Sequence, residues 1–235
     1  MEDPSGYEHF TPAQAIAHQH ELRKQISIKE LTSPVRTIAG ADISFNKNSE
    51  VLYAGIVVFT YPELKVITTA TAIATTKFPY IPGLLAFREV PALLKAWDTL
   101  ITKPNLLVLD GQGIAHERHM GIATHFGLIT NVPTIGSAKS RLAGKFDEPE
   151  DKPFAESSIY HNGEQVGVAL RSKVRCNPIY ISPGHHINIQ QSVEVIKNCI
   201  RCYRIPEPTR QAHLLVNKIR IEHSIKTNPQ YNLFD

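Results

Sequence analysis

The chain has 235 residues, 42% of them hydrophobic, enough for one sizeable domain with its own core. No apolar run reaches the roughly 18 residues that span a bilayer. Met1 to Phe10 does not resemble a signal peptide, and the three cysteines (Cys176, Cys199, Cys202) argue against a disulfide framework. A cytoplasmic monomer with no membrane partner is expected.

Net charge is +3 and uneven. Residues 1–130 hold 11 Lys and Arg against 12 Asp and Glu; residues 131–235 hold 14 against 10. By itself this is ordinary surface charge, although a basic half beside an acidic centre would suit a phosphate track.

Thr11-Pro12-Ala13-Gln14 has the form of a capped helix start, and the helix is expected to run to about Lys29, with Ile16, Leu22 and Ile26 on its packed face. Val35 to Phe45 reads as a strand containing Asp42, Asn46 to Ser49 as a turn, Val51 to Thr60 as a second strand and Leu64 to Ala74 as a third. Short turns between them imply an antiparallel meander. Phe78 to Gly83, with two prolines, cannot be regular structure. A helix from about Leu84 to Leu100 is expected to be kinked or split at Pro91.

Leu106 to Leu109 is a run of four apolar residues that fits a strand covered on both faces and delivers Asp110 to a sheet edge. Gly111 and Gly113 follow. A short helix near Gly121 to Leu128, a strand over Val132 to Gly136 and an acidic loop over Phe146 to Ser158 come next. Strands are expected at Gln165 to Arg171 and Pro178 to Ile181, and a loop at Ser182 to His186. Two helices close the domain, Gln190 to Tyr203 and Thr209 to about Glu222, the second capped by Thr209. The polar tail from residue 223 is expected to fray.

This order gives an α/β domain, three antiparallel strands followed by parallel strands with flanking helices. With the first and fourth strands adjacent, Asp42 and Asp110 would lie about 5 Å apart in the pairing direction, where Mg²⁺ would relieve their repulsion.

Asp42 stands in an otherwise apolar strand, so it is either paired or part of a site. Glu89 lies on the helix before the fourth strand, next to Arg88. His116, Arg118 and His119 form a cationic loop suited to phosphate, and Lys139 follows the fifth strand and could stabilise phosphate charge. His213, on the last helix, is structural or catalytic. Tyr80 between Pro79 and Pro82 is a stiff aromatic projection of the kind that separates bases, or a surface or core aromatic held by a proline turn. Cys199-x-x-Cys202 is a weak metal signal.

Ala39-Gly-Ala-Asp42-Ile-Ser-Phe, Pro79 to Glu89, Leu109-Asp110-Gly-Gln-Gly-Ile-Ala-His116 and Gly136-Ser-Ala-Lys139-Ser, extended by Ser182 to His185 and Arg210-x-Ala-His213, together resemble the endonuclease V family, the deoxyinosine 3′ endonucleases of ribonuclease H-like fold. The resemblance covers roughly residues 10 to 222. It implies a single DNA-repair endonuclease domain that binds deoxyinosine-containing DNA, with inosine-containing RNA as the alternative partner. The implied reaction is Mg²⁺-dependent cleavage (Mn²⁺ substituting) of the second phosphodiester 3′ to the lesion.

By motif it makes Asp42, Glu89 and Asp110 metal ligands, and Lys139 and His213 catalytic partners at the phosphate. Tyr80 with Pro79, Ile81 and Pro82 becomes a strand-separating wedge. Gly83, Leu85, Gly111, Gly113, Gly121 and Ile122 become the base pocket, and backbone amides and carbonyls there could read the pairing edge of hypoxanthine. Two residues depart from the family pattern: Gln112 stands where many relatives have His, and Glu117 where many have Pro.

Overall fold

The computed structural model describes residues 4–47 and 49–227; Met1 to Asp3, Asn48 of the first turn and the tail from residue 228 lie outside the described residues. After a 3-10 turn (Pro4–His9) the elements are α1 (Pro12–Arg23), β1 (Thr37–Ser44), β2 (Val51–Thr60), β3 (Val66–Thr75), α2 (Leu85–Asp98), β4 (Leu106–Leu109), α3 (Ile122–Thr130), β5 (Thr134–Ala138), β6 (Ala155–His161), β7 (Glu164–Arg171), β8 (Ile179–His185), α4 (Ile189–Cys199) and α5 (Glu207–Thr227). The eight strands form one mixed sheet in the order β3-β2-β1-β4-β5-β8-β7-β6. β1, β4 and β5 are mutually parallel, and the flanking pairs are antiparallel.

Period-two alternation assigns the two faces. Ala39, Ala41, Leu107 and Leu109 pack under α2 and α3, while Ile38, Leu106 and Val108 pack under α4 and α5. β4 is therefore buried on both sides, which is why it carries no alternation of its own. α5 approaches β1 closely because of Gly40: a Cβ there would meet the Pro208 carbonyl oxygen at 2.0 Å.

Several expectations need correction. α1 stops at Arg23, where its C-terminal turn closes, so Ile26 lies beyond it, and Ile16 is exposed. Of the two forms expected at Pro91, α2 is a single helix running through it rather than two abutting helices, packed along the sheet by Val90, Leu93 and Trp97. The acidic segment ends sooner than expected, because Ala155 opens the edge strand β6. Only Ile159 of β6 is buried, so polarity masked it. Ser182 to His185 belong to β8, paired to β5 with a register shift between Thr134 and Ile135 rather than looped out. α4 ends at Cys199, well before Tyr203. α5 starts at Glu207 and runs to Thr227, so Thr209 sits inside the first turn with its hydroxyl on the Pro206 carbonyl, and residues 223–227 are helical.

Candidate active site

Ala41 pairs with Leu109 across the parallel β1–β4 ladder, and the Asp110 amide extends it by donating to the Ala41 carbonyl at 3.1 Å. Asp42 and Asp110 thus leave the two strands side by side. Alternation turns both toward the face covered by α5. From α5, His213 brings Nδ1 to 2.7 Å from Asp42 Oδ2, while Asp42 Oδ1 accepts from the Ile43 amide at 2.8 Å. Lys139, one residue past β5, forms an ion pair with Asp110 Oδ2. Ligand atoms of Asp42, Asp110 and His213 all lie within 4.8 Å of one another.

Burial, and then the charge of Asp110, push the Asp42 carboxyl up to about 6, against the opposing hydrogen bonds from His213 and Ile43. Glu89 arrives from α2 on the opposite face. It lines the same cleft but stands outside the tight cluster. Burial, with Asp42 nearby, pushes it up to about 8. A site that raises its own carboxyls in this way, with two carboxylates and an imidazole converging, is a donor set that fits a hard divalent cation.

His213 is held from behind. Arg220 donates to Asn217 Oδ1 at 3.2 Å, and the Ser44 hydroxyl donates to the same oxygen at 3.1 Å. That fixes the amide, so Asn217 Nδ2 donates to His213 Nε2 at 3.0 Å and to the His213 carbonyl at 2.9 Å. With Nε2 accepting, the Nδ1 proton faces Asp42. Arg220 also binds Ser44 Oγ and Asn46 Oδ1. Asn217 and Arg220 escaped the sequence reading, although His213 and Asn217 stand one helical turn apart and face the same way.

The carboxylates open onto a cleft of about 490 Å³, lined also by Tyr80, Pro82, Gly83, Leu85, Gly111, Gly121, Ile122 and His116. Tyr80 is 60% exposed at its mouth. Ile81 packs inward with Tyr7 and Phe78 instead of projecting, and Pro79 lies on the far side of Tyr80. Gly113 does not line the cleft. Its amide donates to Ser182 Oγ at 2.8 Å, and a Cβ there would strike the Pro183 carbonyl.

The loop expected to be cationic has another job. Gly83 turns with φ +80°, and its carbonyl receives Gln19 Nε2 at 3.0 Å, Arg118 Nη2 at 3.0 Å and His116 Nε2 at 3.1 Å. The Arg118 amide donates to His116 Nδ1, which leaves the proton on Nε2. Burial and the neighbouring Arg118 charge push His116 down to about 4, so it is a neutral donor rather than a cation. Arg118 is spent on Gly83, Gln19 and Glu117, and does not face the cleft.

Gln19 was also missed. It lies fully buried in the α1 stripe of Ala15, Gln19 and Leu22, the same signal (one polar residue in an apolar row) that marked Asp42. Of the two departures, Glu117 points outward, paired with Arg118. Gln112 donates to the Ser140 carbonyl at 2.9 Å, beside Lys139, and its buried Oε1 has no partner.

A sheet that meanders through three strands, continues in parallel, and carries carboxylates at the ends of its first and fourth strands defines a ribonuclease H-like α/β protein with an acidic centre. The chain belongs to the endonuclease V family, whose model matches residues 20–214. Endonuclease V from Nostoc punctiforme is 43% identical over 208 residues, 88% of this chain and 94% of that protein. The crystal structure of the Streptomyces avermitilis endonuclease V superposes with a TM-score of 0.86 at 35% identity, covering 91% of this chain and 95% of that one. Ciona intestinalis endonuclease V, crystallised with a 24-mer DNA containing an inosine followed by a ribo-adenosine, gives a TM-score of 0.78 at 30% identity, covering 90% and 98% of the two chains.

Proposed function

We propose that this protein is a Mg²⁺-dependent DNA-repair endonuclease that hydrolyses the second phosphodiester 3′ to deoxyinosine, leaving 3′-hydroxyl and 5′-phosphate ends. The observation that carries the reading is one cleft lined by Asp42, Asp110, Lys139 and His213 together with Gly83, Gly111, Gly121 and the exposed Tyr80. Family membership and the inosine-containing DNA bound by the Ciona relative support it.

In this reading Asp42 and Asp110 hold the cation, with Glu89 joining as its carboxyl ionises. When bound, the metal supplies Lewis-acid chemistry, easing water activation and stabilising charge on the leaving oxygen. The chain does the rest. His213, with its Nδ1 proton on Asp42, orients that carboxylate. Lys139 turns its ammonium from Asp110 to the scissile phosphate and offsets the charge that builds as water adds to phosphorus and the bond to O3′ breaks. The attacking water gives up a proton to solvent as it bonds to phosphorus, and the departing O3′ takes one from solvent and becomes the hydroxyl end. The glycine-rich recess receives the flipped base. Gly83 forms part of its wall, and flipping costs least at a weak pair.

The test is a labelled duplex carrying one deoxyinosine, incubated with Mg²⁺ or with EDTA and mapped at nucleotide resolution. One Mg²⁺-dependent cut at the second phosphodiester 3′ of the lesion is expected, and Asp42→Ala or Asp110→Ala should abolish it while the fold persists. Binding without cleavage in Mg²⁺ or Mn²⁺ would make the protein a non-catalytic inosine binder. Full activity in either variant would sink the metal assignment. A second reading, an endoribonuclease acting on inosine in RNA, draws on the ribo-adenosine in the Ciona complex. Matched DNA and RNA strands assayed in parallel separate the two, because the difference is a local 2′-hydroxyl contact.

A further inference from the structure

Tyr80 has two sides. One faces the catalytic cleft; the other faces a second cavity of about 710 Å³, and Tyr80 is the one described residue that lines both. The second cavity lies within the roughly 300–1,000 Å³ range of small-ligand sites, and its chemistry is the reverse of the first. Lys47, Lys77 and Arg88 line it against a single carboxylate, Glu50. Among the described residues none of the three cations is ion-paired. Two surface lysines alone would be unremarkable.

Arg88 is different, because it is 7% exposed. Its Nη1 donates to the Phe78 carbonyl at 2.7 Å and its Nη2 to the Ser49 carbonyl at 2.6 Å. Its buried Nε has no partner. The Arg88 charge reaches the adjacent Glu89 carboxyl without a close ion pair, and a buried guanidinium with an idle donor favours an anion nearby. The aromatic wall completes the site. The Phe45 and Tyr80 ring centroids are 6.2 Å apart, and the Arg88 guanidinium carbon sits 5.3 Å from the Phe45 centroid. Positive charge for a phosphate beside the exposed Tyr80 ring, backed by Phe45, is the recognition chemistry of an unpaired nucleotide.

We propose that this groove takes the nucleotide opposite the lesion, the base left without a partner when inosine turns into the catalytic cleft. The inference rests on the duplex-cleaving reading above. It makes Tyr80 a partition with a seat on either side, so that each half of the broken pair is held.

Two measurements test it. In the first, kcat/KM is compared on duplex and single-stranded deoxyinosine substrates for wild type and for the Lys47→Ala/Lys77→Ala double variant, whose exposed side chains leave the core untouched. The duplex-to-single-strand ratio should fall about tenfold. Equal losses on both substrates, or no loss on the duplex, would overturn the groove. In the second, 5-iodouracil is placed opposite the inosine and irradiated with wild-type protein in Mg²⁺ under single-turnover conditions. Cross-linked peptides containing Phe45 or Tyr80 are expected, and cross-links confined elsewhere would overturn it. Wild type that cuts both substrates but cross-links elsewhere sinks the groove alone; wild type that cuts neither sinks the underlying reading and the groove with it.

Discussion

His213 reaches Asp42 only because Asn217 tells its ring which nitrogen carries the proton, and Arg220 tells Asn217 which way to face. Asn217→Ala should therefore lower kcat by about ten- to a hundredfold, the usual cost of losing the partner that orients such a group. KM and Tm should move little; an unchanged kcat would show that His213 needs no guide. Tyr80→Ala should harm duplex cleavage more than single-strand cleavage, and equal losses would argue against a wedge. At this scale the sequence was most informative where a residue violates its surroundings. Asp42 in an apolar strand and Asp110 at the end of a buried one were both legible. That Arg118 and His116 brace the Gly83 carbonyl was not legible, because three cationizable residues in one loop look alike whether they face solvent or brace a carbonyl. Nothing local says that Gln19, a hundred residues away, will occupy Arg118.

Elements were legible wherever burial leaves a period. β2 matched its expected bounds because its apolar core dominates all ten residues. β6 was lost because an edge strand needs only one buried side chain, and the end of β8 was lost because Ser-Pro-Gly is turn-like in composition and is held extended by its pairing with β5. The contact between β1 and α5 is tertiary and left one trace, Gly40. Gly40→Ala would push a methyl into the Pro208 carbonyl and lift the start of α5 from the strand. We expect a loss of about 1–3 kcal/mol in urea unfolding, together with lower activity because His213 rides on the same helix. Wild-type stability in that variant would mean that α5 can yield without cost.

For the whole molecule, pH acts through two opposed sets of buried groups. His116, and His125 on α3 hydrogen-bonded to Tyr7, stay neutral down to about 4 and about 3, whereas in the unfolded chain they protonate near 6.5; their contribution is present above that value and is lost as pH falls through 4 and then 3. Asp42 and Glu89 run the other way. Folding raises them to about 6 and about 8 from 3.8 and 4.5, so their contribution is complete at low pH and is lost as pH rises through 6 and then 8. In EDTA, Tm should thus fall between pH 6.5 and 8.5. Glu89→Gln should raise it by a few degrees at pH 8.5 and not at pH 4. A shift independent of pH would show that Glu89 is not raised in the fold. The mixed sheet itself was foreseeable from element order, since short turns force antiparallel neighbours and long helical crossovers force parallel ones.

The acidic centre draws Asp42 from the first strand and His213 from the last helix, with most of the fold lying between them in sequence. A chain still emerging from the ribosome can pair β1 with β4 and so bring its two aspartates together. It lacks the histidine until the helix that carries it, α5, has been made. Assembly of the cluster therefore waits for α5, and a product cut short before α5 would carry the carboxylates without the group that orients them.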